Sequence, residues 1–281
     1  MLMWAGNTVA SRLAVPEMSP MVVSTFRWFF ASLLMLSYSP KAFIQQWPDI
    51  KRHWKYITLQ SIAGFSLFNA LFYYAAHLTS GINLSIIQGS IPVFVLVGAF
   101  IWFGNRSTWM QTIGVAISLI GILTVASRGK IEIFQTLTFN LGDVLFLVAC
   151  LSSAIYTLGL RKRPAIPSLP LFTILALAAF ITSLPLAFAE YLNGDMTLPS
   201  LKGWEILVYI VIFPSTISQL FYMRAIEMIG AARASIFTNL IPVMGAVLSV
   251  LVLGEQFGLY HIAALALVLT GIMLAEWKKP Q

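Results

Sequence analysis

Amide, phenol and imidazole side chains recur at helical spacing inside long apolar stretches of this chain. Asn69, Tyr73 and His77 are four residues apart, so on a helix they share one face. Gln219 lies 150 residues after Asn69, and Tyr222 follows it three residues later on a neighbouring part of the face. Such groups can hold a polar solute by hydrogen bonds or can join helices to one another. The spacing alone leaves both interpretations open.

Polar residues also precede two prolines that lie 150 residues apart. Gln88 comes four residues before Pro92, and Asn239 comes three residues before Pro242. Proline has no backbone N–H, so it leaves an upstream carbonyl without its helical partner and can bend a helix. Pro92 and Pro242 are therefore candidate bend points of a gate beside a cavity, with a tolerated packing kink as the alternative.

A histidine near the end of an apolar stretch is a further candidate, because imidazole titrates near neutral pH. His77 could contact a carboxylate or carry a proton, with a helix-cap role as the alternative, and Tyr74 lies nearby. His53 and His261 have no companions at metal-ligand spacing, so no metal site and no cofactor are expected. The single cysteine, Cys150, cannot form an internal disulfide bond.

Carboxylates are expected only in loops or at the ends of apolar stretches. The acidic residues are Glu17, Asp49, Glu132, Asp143, Glu190, Asp195, Glu205, Glu227, Glu255 and Glu276. A proton-coupled exporter of hydrophobic cations would need a buried acid that binds the proton and the drug in turn. The placement instead favours neutral or zwitterionic substrates. The basic residues are likewise assigned to the ends of apolar stretches, which argues against nucleic acid as a partner.

These residues must be positioned by helices that cross a lipid bilayer. Of 281 residues, 59% are hydrophobic and 10% are charged, with a mean hydropathy of +0.86. A bilayer-crossing helix needs about 20 apolar residues. Ten runs approach that length, at 1–15, 20–38, 54–76, 83–103, 108–127, 142–160, 169–189, 205–226, 233–253 and 258–277. The sequence therefore predicts an all-α integral membrane protein with ten transmembrane helices.

The chain also repeats itself after a shift of 150 residues. Residues 54–122 align without a gap on residues 204–272. Ile91-Pro92-Val93 matches Ile241-Pro242-Val243, and Gly104 matches Gly254. Five predicted spans separate each residue from its counterpart, and because five is odd the two copies point in opposite directions through the membrane. An inverted repeat of this kind is typical of transporters whose site lies near the midplane.

The basic residues favour both termini on the cytoplasmic side, by the positive-inside rule. With that orientation the cytoplasmic loops collect twelve basic residues: Lys41, Lys51, Arg52, Lys55, Arg106, Arg161, Lys162, Arg163, Arg224, Arg233, Lys278 and Lys279. The outer loops hold only Arg128, Lys130 and Lys202. Short loops and the lack of an appended domain favour a bacterial inner membrane.

Three stretches resemble the EamA family of the drug/metabolite transporter superfamily. Residues 229–257 read IGAARASIFTNLIPVMGAVLSVLVLGEQF and look like the family hallmark. Residues 79–104 resemble it more loosely, and Trp4–Arg12, WAGNTVASR, is similar to the family's first helix. The resemblance implies two five-helix repeats, at 1–127 and 142–277, around a central cavity that exports small metabolites. Its aromatic amino acid exporter branch is the expected branch.

The resulting hypothesis is alternating access around a central pocket. Asn7 and Tyr156 join the candidates because they correspond roughly when Arg12 is matched with Arg161, and the resemblance places their helices beside the cavity. Substrate-binding residues are expected to be Asn7, Asn69, Tyr73, Tyr74, His77, Gln88, Tyr156, Gln219, Tyr222 and Asn239. Trp4 could add an aromatic face, with interfacial anchoring as the alternative. Amino acids, including aromatic ones, are the expected substrates; a multidrug, nucleoside or sugar-conjugate carrier is the alternative.

Two other classes of protein compete with this interpretation. A membrane enzyme would need a nucleophile with a base, a pair of intramembrane aspartates or a metal constellation, and the sequence offers none of them. A channel could use matched prolines, and measured conductance would separate it from saturable transport. The expected partners are a small-molecule substrate and the lipid bilayer, with the chain as a monomer or a weak homodimer.

Overall fold

The computed structural model describes residues 1–104, 108–129, 140–229 and 237–276. Helices and turns make up these residues, with no strand among them. In chain order the α-helices are α1 (Leu2–Ala14), α2 (Pro20–Tyr38), α3 (Pro40–Gln45), α4 (Trp47–Arg52), α5 (Trp54–Ser61), α6 (Leu67–Leu78), α7 (Gly81–Gln88), α8 (Ser90–Phe103), α9 (Trp109–Ala126), α10 (Leu141–Gly159), α11 (Ser168–Leu192), α12 (Leu201–Ile210), α13 (Ser218–Ile229), α14 (Leu240–Leu253) and α15 (Leu259–Glu276). A helix satisfies its own backbone groups, as lipid requires.

Membrane character is evident in both length and surface. In the part of the chain that the structure describes, six helical stretches are long and apolar enough to cross a bilayer: 20–38, 81–103, 109–126, 141–159, 168–192 and 201–222. Residues 237–253 and 259–275 form shorter apolar helices. Large apolar side chains point outward, among them Ile101, Leu251 and Met273, which are 68%, 74% and 68% exposed. The prediction of an all-α membrane protein is confirmed, while the count of ten spans stays a prediction.

Two of the helical runs contain a π-helical stretch at equivalent places. Ile62–Ser66, the first π segment, joins α5 to α6, and Val211–Ile217, the second π segment, joins α12 to α13. A shift of 150 residues places Gly64 on Pro214, so each segment has a poor helix former at the same point. Wider turns of this kind often occur at functional sites.

Breaks between helices also recur in both parts of the chain. Gly89 interrupts α7 and α8, and the 3₁₀ turn Phe237–Asn239 precedes α14. Pro92 and Pro242 lie in the first turns of α8 and α14, where the missing N–H has no helical partner to lose. The break therefore comes before each proline.

The helices α9 and α15 pack antiparallel and exchange equivalent contacts. A Cβ atom added at Gly114 would lie 2.5 Å from the carbonyl oxygen of Gly271. One added at Gly121 would lie 2.9 Å from the carbonyl oxygen of Ala264. Gly114 and Gly121 become Ala264 and Gly271 after the 150-residue shift, so the two contacts are reciprocal. Small residues are needed because the two backbones approach closely.

Three long helices form the surroundings of the polar residues. The helices α1 and α2 pack against α6 and also against the second π segment, and α10 packs against α6 and the first π segment. The main apolar core, which includes Phe72, Phe146 and Leu207, lies among these helices. Two short helices, α3 and α4, occupy the connection after α2, where the sequence interpretation had assigned no helix.

Candidate functional site

A buried polar cluster joins α1, α2 and α6. The Nη1 atom of Arg27 donates to Asn69 Oδ1 and to the Tyr73 hydroxyl, each at 2.9 Å. Asn69 Nδ2 donates to the carbonyl of Phe65, at 2.6 Å, within the first π segment. The Asn7 side chain lies next to the Tyr73 hydroxyl. Three predicted site residues therefore meet, and we call Asn7, Arg27, Asn69 and Tyr73 the Arg27 cluster.

Arg27 itself was missed by the sequence interpretation, which wrongly placed every basic residue at the end of an apolar stretch. It is the eighth residue of α2, which has 19 residues, and it is 6% exposed. The signal was present, because Arg27 is a charged residue inside the predicted span 20–38. An ionisable residue within a membrane span is by default a candidate for function.

The surroundings of Arg27 are short of hydrogen-bond partners and of negative charge. Within the described ranges no carboxylate lies within 4.0 Å of its guanidinium, and its buried Nε has no hydrogen-bond partner. The guanidinium carbon lies 4.9 Å from the centre of the Trp28 ring. Buried polar atoms without a partner also occur at Ser24 and Thr25 on the same helix, and at Asn7 Oδ1. Buried polar groups are normally paired, so this concentration is a feature to explain.

Aromatic residues contact both π segments. Trp4 of α1 donates from Nε1 to the carbonyl of Pro214, at 2.9 Å, and its ring lies 5.2 Å from that of Tyr222. Tyr156 of α10 packs edge-on against Phe65, with ring centres 5.4 Å apart. Its ring also leaves no space for a Cβ atom at Gly64.

His77 lies at one end of the bundle, in a cavity of about 420 Å³. Arg12, Asn83, Arg128, Glu255 and His261 are among its lining residues. Arg12 pairs with Glu255 at 3.8 Å and donates to the carbonyl of Ala76. Glu255 also accepts from the backbone N–H groups of Gly81 and Ile82, at 2.7 and 2.9 Å, in the first turn of α7. These contacts tie α1, α6 and α7 to the end of α14.

The remaining predicted residues are distributed over α6, α7, α13 and the turn before α14. Tyr74 is 41% exposed, and its hydroxyl donates to Glu190, at 3.3 Å. Gln88 is half-buried at the last residue of α7, and Gln219 is half-buried near the start of α13. Asn239 ends the 3₁₀ turn before α14. Among the described residues, the hydrogen bonds of the Arg27 cluster do not include Tyr74, Gln88 or Gln219, and a single site that unites all the predicted residues stays a prediction.

Among the described residues, Asp143 and Glu190 are buried, although both lie near helix ends as expected. Asp143, near the start of α10, accepts from Thr79 Oγ1 at 2.5 Å and from Asn83 Nδ2 at 3.2 and 3.3 Å. Glu190, near the end of α11, accepts from Ser19 Oγ at 2.6 Å and from the backbone of the α2 first turn. Each carboxylate therefore holds helix ends together, away from Arg27.

Known proteins resemble the chain over nearly its whole length. The model of the EamA-like transporter family matches residues 1–127 and 140–277. The uncharacterized transporter YetK of Bacillus subtilis is 25% identical over 279 residues, covering 98% of this chain and 84% of YetK. The uncharacterized transporter YyaM of the same organism is 28% identical over 231 residues, covering 79% and 72%.

A third relative is the uncharacterized inner membrane transporter YedA of Escherichia coli, 23% identical over 290 residues, with coverage of 99% and 88%. One solved crystal structure superposes with a TM-score of 0.64 at 15% identity, over 98% of this chain and 92% of that one, which supports the fold. The resemblance drawn from the sequence is confirmed for the family, and its aromatic amino acid branch stays a prediction. The protein is a multi-pass membrane transporter, and the chain belongs to the EamA-like transporter family.

Proposed function

We propose that this transporter moves small metabolites by alternating access around a central site between two inverted five-helix repeats, 1–127 and 142–277. The antiparallel, reciprocal packing of α9 against α15 supports the inversion, because these helices correspond residue by residue after a 150-residue shift. The two π segments at equivalent positions support the repeat itself. In such transporters, broken helices near the midplane supply the substrate site.

The observation that carries the proposal is the Arg27 cluster. Its side chains come from α1, α2 and α6, and α1 and α2 also pack on the second π segment. The cluster thus lies between the two helical runs that contain π segments. A helix that rocks about its π segment would change the enclosure of these residues without breaking the rest of the fold.

Gating is assigned to the two proline-bearing breaks and to the contacts at the His77 end. Pro92 and Pro242 follow weak points in their helices, so each downstream helix can swing as a unit. At the His77 end, the pair of Arg12 and Glu255 holds α1 against α7. Opening of that end requires the separation of this pair.

Amino acids, aromatic ones included, are the proposed substrates, and export across a bacterial inner membrane with both termini cytoplasmic is the proposed direction. The polar cluster can bind the main-chain groups of an amino acid, and Trp4, Tyr156 and Tyr222 offer ring surfaces near the π segments. A carrier of hydrophobic cations is the weaker alternative, because the buried charge of Arg27 would repel a cation.

Counterflow in proteoliposomes tests the proposal. Vesicles loaded with unlabelled phenylalanine should accumulate labelled phenylalanine to a transient peak, and the rate should saturate with concentration. A parallel panel of labelled leucine, uridine and an organic cation locates the substrate class. Ion conductance without saturation would indicate a channel, and accumulation of the cation alone would contradict the proposed substrates.

A further inference from the structure

The charge of Arg27 has no carboxylate partner among the residues that the structure describes. The side chain is 6% exposed, and the described residues place no carboxylate within 4.0 Å of it. Asp143 and Glu190, which are buried, are engaged by other groups at the ends of α10 and α11. A buried charge without compensation is strongly destabilising. A carboxylate carried by a bound solute would supply this compensation.

The guanidinium is held so that one edge stays available. Arg27 donates through Nη1 to Asn69 and Tyr73, while its buried Nε has no partner among the described residues. Asn69 is fixed in turn by its bond to the Phe65 carbonyl. The Nε–H and Nη2–H bonds of arginine run parallel and match the two oxygens of a carboxylate. The anchored Nη1 thus presents this second edge in a defined orientation.

A complementary acceptor lies beside Tyr73. Asn7 is 8% exposed, and its Oδ1 is buried without a hydrogen-bond partner, while the side chain lies next to the Tyr73 hydroxyl. The cluster therefore combines an unused cationic donor with an unused neutral acceptor. An α-amino acid has the opposite pair, a carboxylate that accepts and an ammonium group that donates.

We propose that Arg27 binds the carboxylate of the transported solute and that Asn7 accepts a hydrogen bond from its ammonium group. The substrate class is small zwitterionic metabolites with a free carboxylate. This inference rests on the proposed function and assigns to Arg27 a role that the sequence interpretation did not give to any basic residue. Asn69 and Tyr73 act as positioning residues for the guanidinium.

A pair of ligands that differ only in the carboxylate tests the proposal on the unaltered protein. L-phenylalanine and L-phenylalaninamide share the ring and the amine, and the amide has no negative charge. Purified protein in detergent should be stabilised against heat by phenylalanine at a concentration about tenfold to a hundredfold lower than by the amide. Equal stabilisation by the two ligands would overturn the proposal.

Variants then assign the discrimination to Arg27. Arg27→Gln should weaken the response to phenylalanine about tenfold to a hundredfold and leave the response to the amide within about twofold. Arg27→Lys keeps the charge and should recover part of the loss, and Lys202→Gln, which removes an exposed charge, is the matched control. If Arg27→Gln weakens the thermal stabilisation by both ligands equally, Arg27 supports the fold and does not bind the carboxylate, which would contradict the proposal.

The outcomes separate this inference from the proposed function. Transport of phenylalanine without discrimination against its amide removes the role of Arg27 and leaves an amino acid transporter. Transport of uridine without transport of any amino acid would contradict both the role of Arg27 and the proposed amino acid substrates. If Arg27→Gln does not fold, the acid and amide comparison on the unaltered protein, together with Arg27→Lys, still decides the matter.

Discussion

At the scale of single residues, Asn69 holds the Arg27 cluster to the backbone. Its Oδ1 accepts from Arg27 at 2.9 Å, and its Nδ2 donates to the Phe65 carbonyl at 2.6 Å. One amide therefore links a buried cation to a carbonyl in the first π segment. A substitution that changes either the oxygen or the nitrogen of this amide should therefore affect both Arg27 and the first π segment.

Asn69→Asp is the most informative change at this position. The new carboxylate would have nearly the same shape and would lie beside Nη1, so it would neutralise Arg27 from within. We expect folded protein whose affinity for phenylalanine is lowered about tenfold or more, because an internal anion competes with the substrate. Counterflow measured against phenylalanine concentration checks this.

Asn69→Ala is the matched comparison, because it removes the amide without adding a charge. It should lower transport and weaken the discrimination between phenylalanine and its amide less than Asn69→Asp does, because the charge of Arg27 stays available to the carboxylate. Unchanged affinity in Asn69→Asp would mean that Arg27 does not meet the substrate.

Residue types could be predicted from the sequence more easily than their surroundings. Asn69 and Tyr73 were identified by their four-residue spacing, and the structure brings them together. Tyr74 was grouped with them, although it faces Glu190 on another side of α6. A helix that is apolar around most of its circumference gives little indication of which face is interior. Arg27 was overlooked because a single charge barely changes the hydropathy of a long stretch.

At the scale of elements, the π segments are the features that position the site. Periodicity in the sequence could not predict them, since a π segment alters the number of residues per turn without changing composition. Gly64 and Pro214 are the residues in the sequence that mark these segments, because both are poor helix formers. Only the packing shows that they lie at equivalent points of the two π segments. Tyr156 lies against Gly64, where a side chain would have no space.

Gly64→Ala should therefore displace the Tyr156 ring or the first π segment. We expect a loss of about 1–3 kcal/mol in stability, as for an overpacked interior, measured by thermal unfolding in detergent. Gly203→Ala is the control, because its new Cβ atom would meet neighbours at 3.2–3.3 Å, a contact that small shifts can relieve.

A second variant makes the assignment specific to the contact with the ring. In the double variant Gly64→Ala, Tyr156→Ala the clash is absent, so the cost of the alanine at residue 64 should largely disappear. A cost that is the same with and without the tyrosine ring would show that Gly64 serves the helix backbone instead.

At the scale of the whole molecule, alternating access requires two copies of one unit that point in opposite directions. The helices α9 and α15 span equivalent residues, Trp109–Ala126 and Leu259–Glu276, and they run antiparallel. The sequence repeat predicted this relation from counting alone, because an odd number of spans separates the copies. The packing of the helices does not indicate which end of the bundle faces the cytoplasm. The orientation in the membrane was therefore inferred from the distribution of basic residues.

Labelling of equivalent positions from the two sides of the membrane tests the inversion most directly. Trp109 and Leu259 begin the paired helices and are 77% and 85% exposed. In a Cys150→Ala background, Trp109→Cys should react with a membrane-impermeant maleimide only from the cytoplasmic side, and Leu259→Cys only from the outer side. Reaction of both cysteines from the same side would contradict the inverted repeat and, with it, alternating access around the Arg27 cluster.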